Sequence, residues 1–245
     1  MQRYFIPEPF SDGISVISGD DAKHIQKVMR MQVGNTIIAV SEGQAFEATI
    51  DTFDGQDVRI KKSSDSLRSN ELPKKITICC GLPKGEKLDL ITQKATELGM
   101  HELILFEAER SIVKWDAQKG SKKQQRLQKI AKEAAEQSHR NVVPNIHDLL
   151  SFKELLKKSV EYDVLFVADE EDAKLEKRTR FVEVLSKIDN QQSILIVFGP
   201  EGGLSRKEID DLMSNGFHSI SLGPRILRAE TAPLYVLSAM SYQFE

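Results

Sequence analysis

Residues 193–203 read Ser-Ile-Leu-Ile-Val-Phe-Gly-Pro-Glu-Gly-Gly and combine an apolar run with a glycine-rich turn. The first six residues are uncharged and rich in β-branched side chains, which is typical of a parallel strand buried on both faces. Gly202 and Gly203 have no Cβ, so they can take positive φ or let a ligand touch the backbone, while Pro200 fixes its own φ. Because ligands bind at the carboxyl ends of such strands, we expect residues 199–203 to form a ligand-binding turn.

A second strand and glycine turn follow shortly afterwards. Residues 218–222 have the pattern of a short strand, and they lead into Leu-Gly-Pro-Arg-Ile-Leu-Arg-Ala-Glu-Thr-Ala at 222–232. Between the two turns, Ser205 and Glu208 predict a capping box that begins a helix. One such turn could be a tight strand-to-helix connection and nothing more. Two of them on neighbouring strands predict a crevice for a nucleotide-sized ligand.

Composition narrows the class of protein. The chain has 245 residues, 40% hydrophobic and 29% charged, which suits a globular protein with one large or two smaller domains. It has no signal-peptide core and no apolar run of transmembrane length, so we expect a cytoplasmic protein. Cys79 and Cys80 lie in an apolar strand and are most simply small buried hydrophobes. The five histidines lack metal-ligand spacing, so no metal is expected.

The net charge of −3 means that any nucleic-acid site must be local. Residues 114–132 carry seven basic side chains and a single acid, Asp116. Such a run is usually a solvated helix face, but it could also be a strip that contacts phosphates. The run alone favours the solvated face.

The first 70 residues have the pattern of a small β-barrel. Alternating segments at 35–40, 45–53 and 58–62 are separated by polar turns, as in hairpins. A helix from Asp20 or Asp21 to Met31 should interrupt them, with three apolar side chains facing inward: Ile25, Val28 and Met29. The polar stretch 61–74 reads as a linker.

After residue 75, strands and helices alternate. The predicted strands span residues 76–80, 103–106, 163–168, 193–198 and 218–222. The predicted helices lie at 88–98, 127–135, 175–188, 205–215 and 231–242. Alternation of this kind predicts an open α/β sheet that is mainly parallel.

Two familiar nucleotide motifs do not fit. Residues 81–87 follow a strand and resemble a phosphate loop, but they lack its Gly-Lys-Ser/Thr ending. The three spaced glycines of a dinucleotide fold are missing after the first strand of the α/β region. The first observation argues against a P-loop. The second, together with the late position of the glycine turns, disfavours nicotinamide dehydrogenases and the common Rossmann-like methyltransferases.

The two glycine turns resemble the RsmE family of SPOUT-class methyltransferases at residues 198–205 and 222–232. Further similar segments are at 24–30, 93–99 and 133–140. The resemblance implies S-adenosylmethionine-dependent methylation of N3 of a uridine in 16S ribosomal RNA, within the small ribosomal subunit, by a homodimer. It also implies an N-terminal PUA-like β-barrel that binds RNA, at 1–70, and a SPOUT methyltransferase domain at 73–245. The latter would contain a C-terminal trefoil knot, which no local pattern would predict.

The resemblance assigns the S-adenosylmethionine site to residues of both turns and of one neighbouring strand. These are Ala168, Phe198, Gly199, Pro200, Glu201, Gly202, Gly203, Leu222, Gly223, Ile226, Leu227, Arg228, Thr231 and Ala232.

The chemistry suggests two catalytic roles, a cation that stabilises the anionic base and a proton acceptor. Uridine N3 must lose a proton, whereas the sulfonium of the cofactor already activates its methyl group. We expect Arg228 to stabilise the anionic uracil or to hold its O2 or O4, because it is a permanent cation. Glu230 is a candidate base, although the dipole of the last helix explains a carboxylate there equally well. Glu201 is a second candidate base.

RNA contacts are expected from basic side chains and one histidine: Arg3, His24, Arg30, Arg110, Lys122 and Arg140. The target uridine would have to be turned out of its stack to present N3. Two alternatives remain open. The first is a SPOUT enzyme that modifies another base or a ribose hydroxyl, and the second is a non-catalytic RNA-binding protein of the same fold.

Overall fold

The computed structural model describes residues 1–169, 181–185, 188 and 193–245. It divides into two compact units. The first comprises Met1–Glu71 and Ala135–Val142, and the second comprises Leu72–Ala134 and Val143–Glu245.

The first unit is built on a five-stranded sheet. Its strands are β1 (Arg3–Phe5), β2 (Ile14–Ile17), β3 (Thr36–Ser41), β4 (Gln44–Asp54) and β5 (Asp57–Lys62), in the order β1-β3-β4-β5-β2. Both predicted hairpins, β3 with β4 and β4 with β5, are confirmed as antiparallel pairs. The strands enclose one core, to which each contributes a buried side chain: Tyr4, Ile17, Ile37, Ile50 and Ile60. Strands β1 and β2 were not predicted, because three and four residues are too few to show an alternating pattern.

The predicted helix at 20–31 is interrupted. Helix α1 (Gly19–Lys23) passes into a π-helical turn at His24–Val28, in which the Met29 N–H donates to the His24 carbonyl at 2.9 Å. Ile25 is buried as expected, but Val28 is 67% exposed and Met29 is 39% exposed, so the inward prediction was wrong for these two. A π-helical turn has more residues per turn than an α-helix, and it therefore moves later side chains off the buried face.

Two arginines expected to contact RNA are buried in the first unit. The Arg3 Nη1 group donates to the Arg140 carbonyl oxygen at 2.6 Å and to Asn141 Oδ1 at 2.8 Å. The Arg140 guanidinium is paired with the Glu71 carboxylate, which also accepts from the Asn141 N–H at 2.7 Å. This buried network joins the start of β1 to residues 140–141, and it explains why the 135–142 segment belongs to the first unit.

Removing the charge of Glu71 should be costly. Glu71→Gln removes the charge of a carboxylate paired with the buried Arg140 guanidinium, and we expect the free energy of unfolding to fall by about 3 kcal/mol. The control is Asp51→Asn, whose exposed pair with Arg59 should contribute less than about 1 kcal/mol. Urea denaturation of both variants tests the prediction, and equal losses would contradict it.

The second unit contains a seven-stranded sheet in which every strand pair is parallel. Its strands are β6 (Lys75–Gly81), β7 (Glu102–Glu107), β8 (Asn145–Ile146), β9 (Leu150–Ser151), β10 (Val164–Ala168), β11 (Ser193–Phe198) and β12 (His218–Ile220). The order is β12-β10-β11-β6-β7-β8, and β9 also pairs with β7. The predicted parallel α/β sheet is thus confirmed.

Six helices of the described residues accompany this sheet. They are α2 (Lys87–Glu97), α3 (Ala117–Gln137), α4 (Phe152–Lys158), α5 (Phe181–Leu185), α6 (Arg206–Ser214) and α7 (Thr231–Phe244). The predicted capping box is confirmed, since the Ser205 N–H donates to Glu208 Oε2 at 2.8 Å and the Glu208 N–H donates to Ser205 Oγ at 3.2 Å. Helix α5 is the described part of the helix predicted at 175–188; residues 175–180, 186 and 187 lie outside the described ranges.

Strand β11 is buried on both faces, as predicted. Ile194 and Ile196 belong to the core that α2 and α7 cover, whereas Leu195 and Val197 belong to the core that α4 and α6 cover. Cys79 and Cys80 divide between the same two cores and are both buried thiols.

The strand order places the functional turns. The prediction that the two glycine-turn strands are neighbours was wrong, because β10 pairs with both β11 and β12 and lies between them. All the strands are parallel, however, so the turns after β6, β10, β11 and β12 leave the sheet at the same edge. In the ranges that the structure describes, no helix is both long enough and apolar enough to cross a membrane.

Candidate active site

A cavity of about 590 Å³ lies at this carboxyl edge of the sheet, within the second unit. Both glycine turns form its wall, together with the last residues of β10 and β11. Its volume falls within the usual range for small-molecule and cofactor sites.

The structure brings nearly all the predicted cofactor-binding residues together around this cavity. Those that line it are Ala168, Phe198, Gly199, Pro200, Glu201, Gly202, Gly203, Leu222, Gly223, Ile226, Leu227, Arg228 and Ala232. Thr231 is not among the lining residues; it begins α7, and its N–H donates to the Arg228 carbonyl at 2.8 Å. That these residues bind a cofactor stays a prediction.

The first turn depends on its glycines for different reasons. A Cβ on Gly199 would lie 2.8 Å from the Gly203 carbonyl carbon and 2.9 Å from the Leu204 nitrogen. Gly203 has a φ of +67° and donates its N–H to the Pro200 carbonyl at 2.8 Å. Gly202 does not take positive φ; a Cβ there would lie 3.2 Å from the Arg110 Cβ. Close packing explains Gly199 and Gly202, and backbone conformation explains Gly203.

Gly199→Ala should damage the turn. The new methyl group meets backbone atoms that cannot rotate away, and we expect a loss of about 2 kcal/mol in the free energy of unfolding. Gly120→Ala is the control, because Gly120 lies within α3 with open space around it; it should stabilise by about 0.5–1 kcal/mol. Thermal and urea unfolding check both values, and a neutral Gly199→Ala would contradict the close-packing argument.

Three arginines stand on the wall of the cavity: Arg110, Arg225 and Arg228. The Arg110 Nη1 group donates to the Gly202 carbonyl at 3.2 Å, which holds it beside the first turn. Arg225 and Arg228 are exposed, and within the described residues their guanidinium groups have no hydrogen-bond or ion-pair partner. They are therefore available to an anionic ligand.

A lysine joins the two glycine turns. Lys87 Nζ lies 2.8 Å from Glu201 Oε1 and 3.1 Å from Glu230 Oε2. The carboxylates of Glu201 and then Glu230 beside its ammonium group raise the pKa of Lys87. Burial pushes the pKa of Glu201 upward, but hydrogen bonds from Lys87 and from backbone N–H groups outweigh it, so this pKa is lowered. All three groups are accordingly charged at neutral pH.

The same balance applies to Glu230. Burial raises its pKa, but the hydrogen bond from its own backbone N–H and the nearby Lys87 ammonium group outweigh burial and lower the pKa overall. Glu230 is the residue immediately before α7, where a carboxylate also complements the helix dipole. A carboxylate with a lowered pKa is a weak proton acceptor. The environment therefore favours the ion-pair role of Glu230 over the base role.

Three charged residues of the cavity were not predicted from the sequence: Lys87, Asp169 and Arg225. Asp169 follows β10 directly, and its Oδ2 lies 2.9 Å from Arg206 Nη1. Lys87 lies in residues 81–87, which resemble a phosphate loop but lack its Gly-Lys-Ser/Thr ending. Their common signal is position, because each follows closely on a strand of the parallel sheet.

The predicted RNA-contacting residues fall into two groups. Arg110 and Lys122 are exposed in the second unit, and Arg30 is exposed in the first. The others hold protein partners: the His24 Nδ1 atom lies 2.9 Å from the Tyr4 hydroxyl, and Arg3 and Arg140 belong to the buried network. Among the residues described, no group of three or more His, Cys, Asp or Glu side chains could hold a metal ion.

A parallel α/β sheet with such a cavity at its carboxyl edge defines a cofactor- or nucleotide-binding α/β protein. The model of an RNA methyltransferase domain matches residues 70–241, and that of an RNA methyltransferase PUA domain matches residues 17–61. The chain belongs to this RNA methyltransferase family, and the predicted RsmE membership and N-terminal PUA-like fold are confirmed.

Individual relatives cover the whole chain. The ribosomal RNA small subunit methyltransferase E of Bacillus subtilis (strain 168) is 46% identical over 254 residues, spanning 100% of this chain and 98% of that protein. A solved structure described as a hypothetical protein is 43% identical, with a TM-score of 0.90 and coverage of 100% and 99%. The ribosomal RNA small subunit methyltransferase E from Neisseria gonorrhoeae, solved bound to S-adenosylmethionine, is 27% identical, with a TM-score of 0.86 and coverage of 99% and 97%.

Proposed function

We propose that this protein methylates N3 of a uridine in small-subunit (16S) ribosomal RNA, with S-adenosylmethionine as the methyl donor. The observation that carries the proposal is the cavity formed by the two glycine turns, in a chain similar over its full length to ribosomal RNA small subunit methyltransferases. A relative with the same overall fold binds S-adenosylmethionine.

The residues present fit that cofactor. Gly203 and Gly223 line the cavity and have open space where a Cβ would stand, so a ligand can approach the backbone of both turns. Leu222, Ile226 and Leu227 offer apolar contacts around it. When bound, S-adenosylmethionine supplies a methyl group already activated by its sulfonium. The assignment of residues 1–70 to RNA binding and of 73–245 to methyl transfer, and the trefoil knot, are part of the proposal.

The protein must hold uridine N3 in line with that methyl group and stabilise the charge left when the N3 proton departs. Arg228 suits this second task, because it is a permanent cation on the cavity wall and is not paired within the described residues. Glu230 and Glu201 remain candidate proton acceptors, weakened in that role by their lowered pKa values.

The decisive experiment is transfer of labelled methyl from S-adenosylmethionine to small-subunit particles and to naked ribosomal RNA. Mass spectrometry should place the methyl on uridine N3. A methyl on another base or on a ribose hydroxyl would favour the first alternative. A folded protein that shows no cofactor binding by calorimetry would favour a non-catalytic RNA-binding role.

Arg228 and Glu230 can be separated by single-turnover kinetics at saturating cofactor. Arg228→Ala should lower the methylation rate by about 100-fold, and Arg228→Lys by less, because the charge remains but the planar fork is lost. Glu230→Gln should keep most of the saturated rate if Glu230 serves only as an ion-pair partner. A normal rate in Arg228→Ala would remove its catalytic assignment.

RNA affinity should depend on exposed basic side chains of α3. Lys119→Gln with Lys122→Gln should reduce the slope of log affinity against log salt by about one to two units, because each phosphate contact releases counter-ions. Lys153→Gln with Lys157→Gln removes the same charge from exposed positions of α4 and is the control. Equal effects of the two pairs in filter binding would show that only net charge matters.

We further propose that the protein acts as a homodimer in the cytoplasm. Three exposed apolar side chains on α2 and α7 support self-association: Leu90, Tyr235 and Tyr242. Light scattering of the purified protein tests the dimer, and a single species of 27.6 kDa would contradict it.

A further inference from the structure

Lys87 occupies an unusual position for a cation. It is the first residue of α2, where the positive end of the helix dipole disfavours a positive side chain. Its ammonium group is nevertheless held between two carboxylates, Glu201 and Glu230. Local helix energetics do not explain a lysine here, whereas the two ion pairs do.

The two carboxylates come from different glycine turns. Glu201 belongs to the turn after β11, and Glu230 ends the segment that leads from β12 into α7. Strand β6, which precedes Lys87, pairs with β11, so the side chain starts next to the first turn. The backbone N–H of Lys84 also donates to Glu201 Oε1 at 3.0 Å. The loop after β6 therefore contacts the first turn through a hydrogen bond and an ion pair with Glu201. It contacts the second turn through the ion pair with Glu230.

The ion pairs also bear on Arg228. Glu230 is followed by two residues, Thr231 and Ala232, whose N–H groups donate to the Arg228 carbonyl at 2.8 and 3.0 Å. Fixing Glu230 therefore restricts the backbone that carries Arg228. Without Lys87, two carboxylates would face each other across the gap and repel.

We propose that Lys87 is a positioning residue that ties the two glycine turns together and so holds the cofactor cavity in its binding shape. Because it is tested by S-adenosylmethionine binding, the inference rests on the proposed function. Lys87 acts through Glu201 and Glu230 and takes no part in the transfer of the methyl group.

The test compares Lys87→Met with Lys94→Met. Lys94 lies on the same helix and pairs with Glu97 at 2.8 Å, so its loss removes the same charge and one Lys–Glu pair away from the cavity. Calorimetry should show S-adenosylmethionine binding weakened about 10-fold in Lys87→Met and unchanged in Lys94→Met. Lys87→Arg should restore most of the affinity.

Two further measurements separate positioning from general stability. Hydrogen exchange of the cofactor-free protein should be faster at 199–204 and 228–232 in Lys87→Met alone, while the unfolding midpoints of the two Met variants stay similar. Adding Glu230→Gln to Lys87→Met should not weaken binding further, because the pair is already broken and the repulsion between the two carboxylates is relieved.

The outcomes distinguish this inference from the proposed function. If wild-type protein binds the cofactor and Lys87→Met binds it equally well, Lys87 is not a positioning residue and the proposed function stands. Faster exchange with unchanged affinity would likewise overturn the inference. If the folded wild-type protein binds no cofactor, the proposed function fails, whereas the exchange measurement still reports whether Lys87 ties the turns.

Discussion

Parallel pairing of β11 between β10 and β6 is the constraint on which the rest of the second unit depends. The strand is covered on both faces, so neither face can hold polar chemistry. A ligand can reach the strand at its carboxyl end, where the neighbouring strands also end. The cavity, its glycine wall and its charged groups all follow from that placement.

Within the described residues at this edge of the sheet, the acidic side chains are in ion pairs, whereas two arginines are not. Glu201 and Glu230 are both engaged by Lys87, and Asp169 by Arg206. Arg225 and Arg228 have no such partner in the part of the chain that the structure describes. The acids are therefore used to organise the protein, and the cations that face outward set the local field. A protein of net charge −3 can in this way carry a local concentration of positive charge.

Much of this architecture was predictable, because it depends on local pattern. The apolar run of β11, the turn at 199–203 and the capping box at Ser205 are each contained within a few consecutive residues. The position of β12 beyond β10 was not, since strand order is set by tertiary pairing. The π-helical turn at His24–Val28 was also missed, because an amphipathic pattern does not distinguish it from an α-helix.

Long-range pairing decides what a charged side chain does. Arg3 and Arg140 look like RNA contacts in sequence, yet each is buried among partners far along the chain. Lys87 looks like part of a failed phosphate loop, yet its partners lie in the two turns that matter most. In both cases the residue type was visible and its partner was not. In this fold, the functional groups of the site are brought together by the strand ends that meet at one edge of the sheet. Sequence motifs identify those strand ends, but they do not identify the ion pairs that connect them.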